Sequence, residues 1–197
     1  FLVIGLSVLI QTPHAWARVV PKMVKDIGPG TNTNEIFLIT DFYGKLLFEH
    51  DDGIHGRELW ISDGTDAGTT MVKDIFVGSL STDISIGPVQ SGKALMGATN
   101  QEFGNELWIT DGTDAGTTII KDLEPGTGNS YPRNFKRLND WIIFQAGPSD
   151  NKKFWRTDGT AAGTQPISGY DGGPLFYVVT IYNGYYFATT THGVITN

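Results

Sequence analysis

Three apolar residues run in succession between polar ends in "ELWIT" (Glu106 to Thr110) and "ELWIS" (Glu58 to Ser62), and a worn form of the pattern is "KFWRT" (Lys153 to Thr157). Side chains alternate across a β-strand, so Leu107 and Ile109 face one side and Trp108 the other. A half-exposed sheet would carry polar groups on one face. Here both faces carry large apolar groups, so both are expected to be covered. In the first complete copy the pattern predicts strands over 35–41, 45–50, 57–62 and 69–74. Turn residues separate them: "YGK" at Tyr43–Lys45, "DDGIHG" at Asp51–Gly56 and "DGTDAG" at Asp63–Gly68. Gly, Asn and Asp tolerate the positive φ that tight hairpins need, so consecutive strands are predicted antiparallel.

The pattern has a period. Trp60, Trp108 and Trp155 are 48 and 47 residues apart, and Asp63, Asp111, Asp158 and Gly68, Gly116, Gly163 keep the same spacing. Gly64, Gly112 and Gly159 do so too, and Lys25, Lys73 and Lys121 recur in "VKDIGPG", "VKDIFVG" and "IKDLEPG". The units run over about 35–78, 83–126 and 131–170, with partial units at both ends. A small four-stranded sheet covered on each face by a copy of itself is a blade in a ring. The predicted fold is therefore all-β, a partial β-propeller of antiparallel four-stranded blades of about 48 residues; a linear stack of β-units is the alternative. Burying one indole removes about 200 Å² from water, at most roughly 5 kcal/mol, so one Trp per unit could hold blade to blade. "RVVPKMVKDIGPG", from Arg18, matches a fourth strand without its first three, as expected of a strand that completes the blade begun at the other chain end.

"ELWISDGTDAGTTMVKDIFVG" and "ELWITDGTDAGTTIIKDLEPG" resemble the ELWxxDGTxxGT repeat of bacterial secreted and surface proteins. The third copy departs: Phe154 replaces Leu, Arg156 a β-branched residue, Ala161 an Asp, and "PISGYDGG" the "KDIxPG" tail. The resemblance implies an exported, propeller-like repeat protein and no reaction.

Composition narrows the picture further. The net charge of −7 disfavours a nucleic-acid partner and an anionic membrane surface. No Cys is present, which excludes disulfides, thiolate metal sites and cysteine nucleophiles. Residues 1–17 read as a signal peptide: the uncharged apolar run Phe1–Ile10, Pro13, and the small residues of "AWA" (Ala15–Ala17) before a cleavage site. No positive start precedes Phe1, so the chain is expected to be a fragment with a clipped start, its mature part 18–197 secreted or at the cell surface without membrane insertion. A buried N-terminal strand is the alternative for that run.

Candidate chemistry lies in the loops. In "DGTDAG", Asp63 and Asp111 are expected to accept backbone N–H bonds in Asx-type turns, with Gly64 and Gly112 at positive φ. The same loops place Asp63 with Asp66, and Asp111 with Asp114, as hard oxygens that could hold calcium; Ala161 removes the second carboxylate from copy three. No other cofactor is predicted. Lys73–Asp74 and Lys121–Asp122 are expected to solvate an outer edge strand. "EHDDGIH" (Glu49 to His55) gathers two His and three carboxylates, either a polar hairpin loop or a zinc or acid–base cluster. No G-x-S-x-G, phosphate-binding Gly loop or HExxH occurs. The repeated polar groups read as scaffold. The expectation is an exported non-catalytic module for binding, adhesion or surface assembly, with an unidentified protein or polysaccharide partner. The alternatives are a carbohydrate-active hydrolase or lyase on the same scaffold, which would show unlike polar residues converging from different blades, and a calcium-stabilised array. Tyr131, Tyr170 and Tyr177, outside the repeated pattern, are candidate contact residues, with blade packing as their other reading.

Overall fold

The computed structural model describes residues 21–28, 36–148 and 151–167 and the strands within 180–196. Residues 1–17, expected as a signal peptide, and Tyr170 and Tyr177 lie outside the described residues. The chain is all-β, with no helix among the described residues. Strands β1 (Ile36–Phe42), β2 (Lys45–Asp51), β3 (Arg57–Ser62) and β4 (Thr70–Lys73) pair in sequence order as an antiparallel sheet. A second sheet takes β5 (Ser85–Gln90), β6 (Lys93–Asn100), β7 (Gly104–Thr110) and β8 (Thr118–Lys121). A third takes β9 (Arg133–Leu138), β10 (Trp141–Ala146), β11 (Lys153–Thr157) and β12 (Gln165–Pro166). Beyond these, β13 (Thr180–Tyr182), β14 (Tyr185–Thr190) and β15 (Gly193–Thr196) form a three-stranded sheet.

Local chemistry explains the hairpins. Tyr43 and Gly44 have φ of 52° and 77°, and Ser91 and Gly92 have 50° and 77°. Two consecutive positive values make the two-residue turn whose twist matches that of the strands. The first and second sheets also share a register irregularity, between Phe37 and Thr40 and between Ile86 and Val89, which sharpens the local twist.

The sheets stack face to face. Leu47, Leu59, Ile61 and Val72 of the first sheet share one buried cluster with Met96 and Trp108 of the second. Leu95 and Leu107 of the second sheet share another with Ile142 and Phe144 of the third, and Ile109 and Trp155 pack against it. Strands β3 and β7 thus send their aliphatic pair toward the following sheet and their indole to the opposite side, as alternation across a strand predicts. Trp60 packs with Phe48, Met71 and Ile27, the last from segment 21–28. The indole N–H of Trp60, Trp108 and Trp155 is buried without a partner. That omission costs about 1–3 kcal/mol each, so burial still wins but by less than area alone suggests. First strands neighbour one another, β1 beside β5, β5 beside β9 and β9 beside β13. The described sheets form an open series and not a closed ring.

The repeated lysines correct one expectation. Instead of solvating an outer edge, each reaches into the DGT loop of the following sheet. Lys25 Nζ donates to the carbonyls of Asp66 (3.2 Å) and Thr69 (2.9 Å). Lys73 donates to Asp114 O (3.2 Å) and pairs with its carboxylate at 2.8 Å. Lys121 donates to Ala161 O (3.5 Å) and Thr164 O (2.8 Å). The fourth strand lies against the next sheet's loop, so its lysine meets that loop's carbonyls. Charge-assisted bonds to carbonyls persist where Ala161 removes the carboxylate, and they outweigh an exposed ion pair of about 0–1 kcal/mol.

Candidate functional site

The DGT loops are built alike. Asp63 Oδ1 accepts from Thr65 N (2.9 Å) and Thr65 Oγ1 (2.7 Å); Asp111 with Thr113 and Asp158 with Thr160 repeat this. Those bonds hold all three carboxyls below the usual range. Gly64, Gly112 and Gly159 have φ of 86°, 83° and 91° at the turn. A Cβ on Gly68, Gly116 or Gly163 would sit 2.0–2.4 Å from the Asp carboxyl, which explains the second glycine of the motif. At the base of each loop, Ser62 with Thr69, Thr110 with Thr117 and Thr157 with Thr164 share buried hydroxyl bonds of 2.7–2.8 Å. In each loop the two acids expected for calcium have separate partners, Asp63 and Asp111 within the loop, Asp66 and Asp114 on Lys25 and Lys73.

The Glu49–His55 cluster is dispersed by strand geometry. Glu49 and His50 are neighbours on β2 and point to opposite faces. His50 packs edge-on against Trp60, with ring centroids 6.1 Å apart. His55 Nδ1 lies 2.7 Å from Asp52 Oδ2, and this bond raises the imidazole pKa. Among the described residues, no group of three or more His, Asp or Glu side chains converges as metal ligands.

Two repeated acids are structural parts. Glu58 is fully buried and accepts from Ile75 N and Phe76 N, both at 2.9 Å. Glu106 accepts from Leu123 N (2.6 Å), Ser130 N (3.1 Å) and Ser130 Oγ (2.8 Å). Each carboxylate therefore ties down the segment that carries the chain to the next sheet. Burial pushes both up to about 7. The chain carries a trace of this: the first two copies place a Glu directly before the apolar run Leu-Trp-Ile, and the third has Lys153 there.

At the end of the sheets opposite the DGT loops, residues that do not repeat come together. The equivalent position of the second strand carries Glu49, Gly97 and Gln145, and that of the third strand Arg57, Asn105 and Lys152. Between the second and third sheets, Asp83, Ser85, Asn105, Tyr131, Pro132 and Arg133 line a cleft of about 130 Å³. Asn105 is buried and donates from Nδ2 to Asp83 O (2.9 Å) and Thr99 Oγ1 (2.8 Å), while Ser85 Oγ donates to Pro132 O. Tyr131 is 37% exposed at φ 47°, with Lys152 Nζ 5.5 Å above its ring. Burial and the Arg133 charge push the Lys152 ammonium down to about 8. In the first sheet Glu49 is buried, 3.6 Å from Arg57 Nε. Burial raises its carboxyl to about 7; Arg57 opposes the shift and Asp83 adds to it. Tyr131 was legible as a candidate from its place outside the repeat. The others emerge only when the copies are laid on one another and compared for difference.

No protein-family model matches the chain, and no curated protein matches it. Among solved structures, an α-L-arabinofuranosidase from Clostridium thermocellum ATCC 27405 is similar, at 12% identity and a TM-score of 0.33. The match covers 78% of this chain and 60% of that one. A likeness of this extent assigns neither fold nor chemistry.

Proposed function

We propose that the chain is a propeller-type repeat module of an exported protein, of the ELWxxDGTxxGT kind, which binds a polysaccharide without turning it over. The single observation that carries this is the contrast between the two ends of the sheets. The DGT end repeats nearly residue for residue, whereas the opposite end gathers Asp83, Asn105, Tyr131 and Arg133 from two sheets. An exposed aromatic ring beside a few fixed polar groups suits a sugar ring, whose faces are apolar and whose edge is hydroxylated. Export is part of the same reading and rests on the apolar run Phe1–Ile10 before "AWA".

Titrating the protein with a panel of neutral and acidic polysaccharides tests the proposal. Saturable binding to at least one, weakened about tenfold by Tyr131→Ala and by Asp83→Ala, is expected. Absence of binding across the panel overturns it. A second reading, hydrolysis or lysis on the same scaffold, is favoured by one observation, the Glu49 carboxyl raised to about 7 near the Asp83 charge. Product release from the same panel that Glu49→Gln abolishes would put this reading in place of the first.

A further inference from the structure

Corresponding places at the two inter-sheet contacts differ at the DGT end. Between the first and second sheets, Phe42 closes the gap, 6% exposed and packed in the shared core. Its neighbour Tyr43 stacks edge-on against it at 5.6 Å and accepts a hydrogen bond at 2.7 Å from Gly92 N, in the next sheet's hairpin turn. The fit is close: a Cβ on Gly112 would stand 3.2 Å from Phe42 Cε1 and 2.9 Å from Ile61 Cδ1.

One sheet further on, Gln90 and Ser91 stand where Phe42 and Tyr43 did, in the same register: Gln90 pairs with Lys93 as Phe42 does with Lys45. Both aromatic rings are gone. A cavity of about 200 Å³ opens there, with Leu95, Ile109 and Ile142 among its walls, and Gly159 and Asp140 replacing Gly112 and Gly92. A Cβ on Gly159 would meet only Ile109 Cδ1, at 3.6 Å. Gln90 lines this cavity, and its Oε1 is buried without a hydrogen-bond partner.

We propose that this cavity binds a para-substituted phenol, in the seat that Phe42 and Tyr43 fill at the preceding contact. The size suits a single ring, since a cavity of about 150 Å³ holds benzene; here the aliphatic walls are joined by polar ones, Lys93 and Asp158 among them. Leu95 and Ile109 correspond to Leu47 and Ile61, which pack with Phe42 one sheet earlier, and Ile142 stands in the place of Ala94. A buried acceptor without a donor asks for one, and the phenol hydroxyl can supply it to Gln90 Oε1. The site lies at the opposite end of the sheets from the polysaccharide cleft and does not depend on it.

Titrating the full chain with p-cresol, toluene and a Gly-Gly-Tyr-Gly-Gly peptide, followed by NMR, tests the assignment. Saturable shifts with p-cresol are expected, with toluene several-fold weaker. Gln90→Phe, which restores the residue of the first sheet, is expected to reduce p-cresol affinity at least about tenfold while leaving Tyr131-dependent polysaccharide binding unchanged. Gln90→Leu keeps the room and removes the acceptor, so it should erase the preference for p-cresol over toluene. Binding by both p-cresol and the peptide supports a tyrosyl side chain of a partner as occupant; binding by p-cresol alone supports a free phenol. No saturable binding by p-cresol, or binding that folded Gln90→Phe and Gln90→Leu both leave unchanged, overturns the proposal.

Discussion

Glu58 and Glu106 occupy one place in two sheets, each closing the passage to the next sheet by accepting backbone N–H bonds. With Glu49 they titrate near 7, against 4.5 for the free side chain. A carboxyl whose folded pKa exceeds its unfolded value holds its proton more tightly in the folded chain. Its contribution to stability is therefore full below about 4.5 and is lost as pH rises through about 7. Asp63, Asp111 and Asp158, with lowered values, act in the opposite sense: their contribution is present above 3.8 and is lost as pH falls below it. We expect the melting temperature to rise as pH drops from about 8 to about 5, and to fall again under about pH 3.5. Glu58→Gln should flatten the upper limb; an unchanged slope would mean that Glu58 does not titrate there. That these glutamates recur was plain in the chain, but their burial was not, because a Glu at the start of a strand is ordinarily solvated.

At the scale of the element, the fourth strand does more than complete its sheet. Its lysine reaches about forty residues ahead, to the next DGT loop. Lys73→Met is expected to lower stability by about 1–2 kcal/mol in urea unfolding, since the donor to Asp114 O is lost. Asp114→Ala should cost less than about 0.5 kcal/mol, because the carbonyl contact survives and an exposed ion pair contributes little. Equal losses in the two variants would show that the ion pair, and not the carbonyl contact, holds the loop. Period and turn chemistry placed the strands to within a residue or two: 45–50 was expected and Lys45–Asp51 is found. The destination of Lys73 was not legible, because spacing along one strand says nothing about which loop of another sheet lies across from it.

At the scale of the whole molecule, cohesion comes from sheet on sheet. Trp108 is 5% exposed in a cluster that also holds Leu59 and Ile61 of the preceding sheet. Trp108→Ala is expected to destabilise by about 3–5 kcal/mol, well beyond any loop variant, as judged by denaturant unfolding. A loss under about 1 kcal/mol would mean that the sheets do not depend on one another through their indoles.

By itself, the sequence determined the sheets: the two-sided apolar run of "ELWIT", Gly, Asn or Asp at the tight turns and the 48-residue spacing are local properties. Face-to-face stacking followed as well, since a strand apolar on both sides must be covered on both. Only the tertiary structure decided what crosses from one sheet to another. That includes the grip of Lys25, Lys73 and Lys121, the gathering of Asp83 with Tyr131 and Arg133, and the room left where Gln90 follows Phe42. Those depend on how far apart and at what rotation neighbouring sheets sit, and no single strand carries that information.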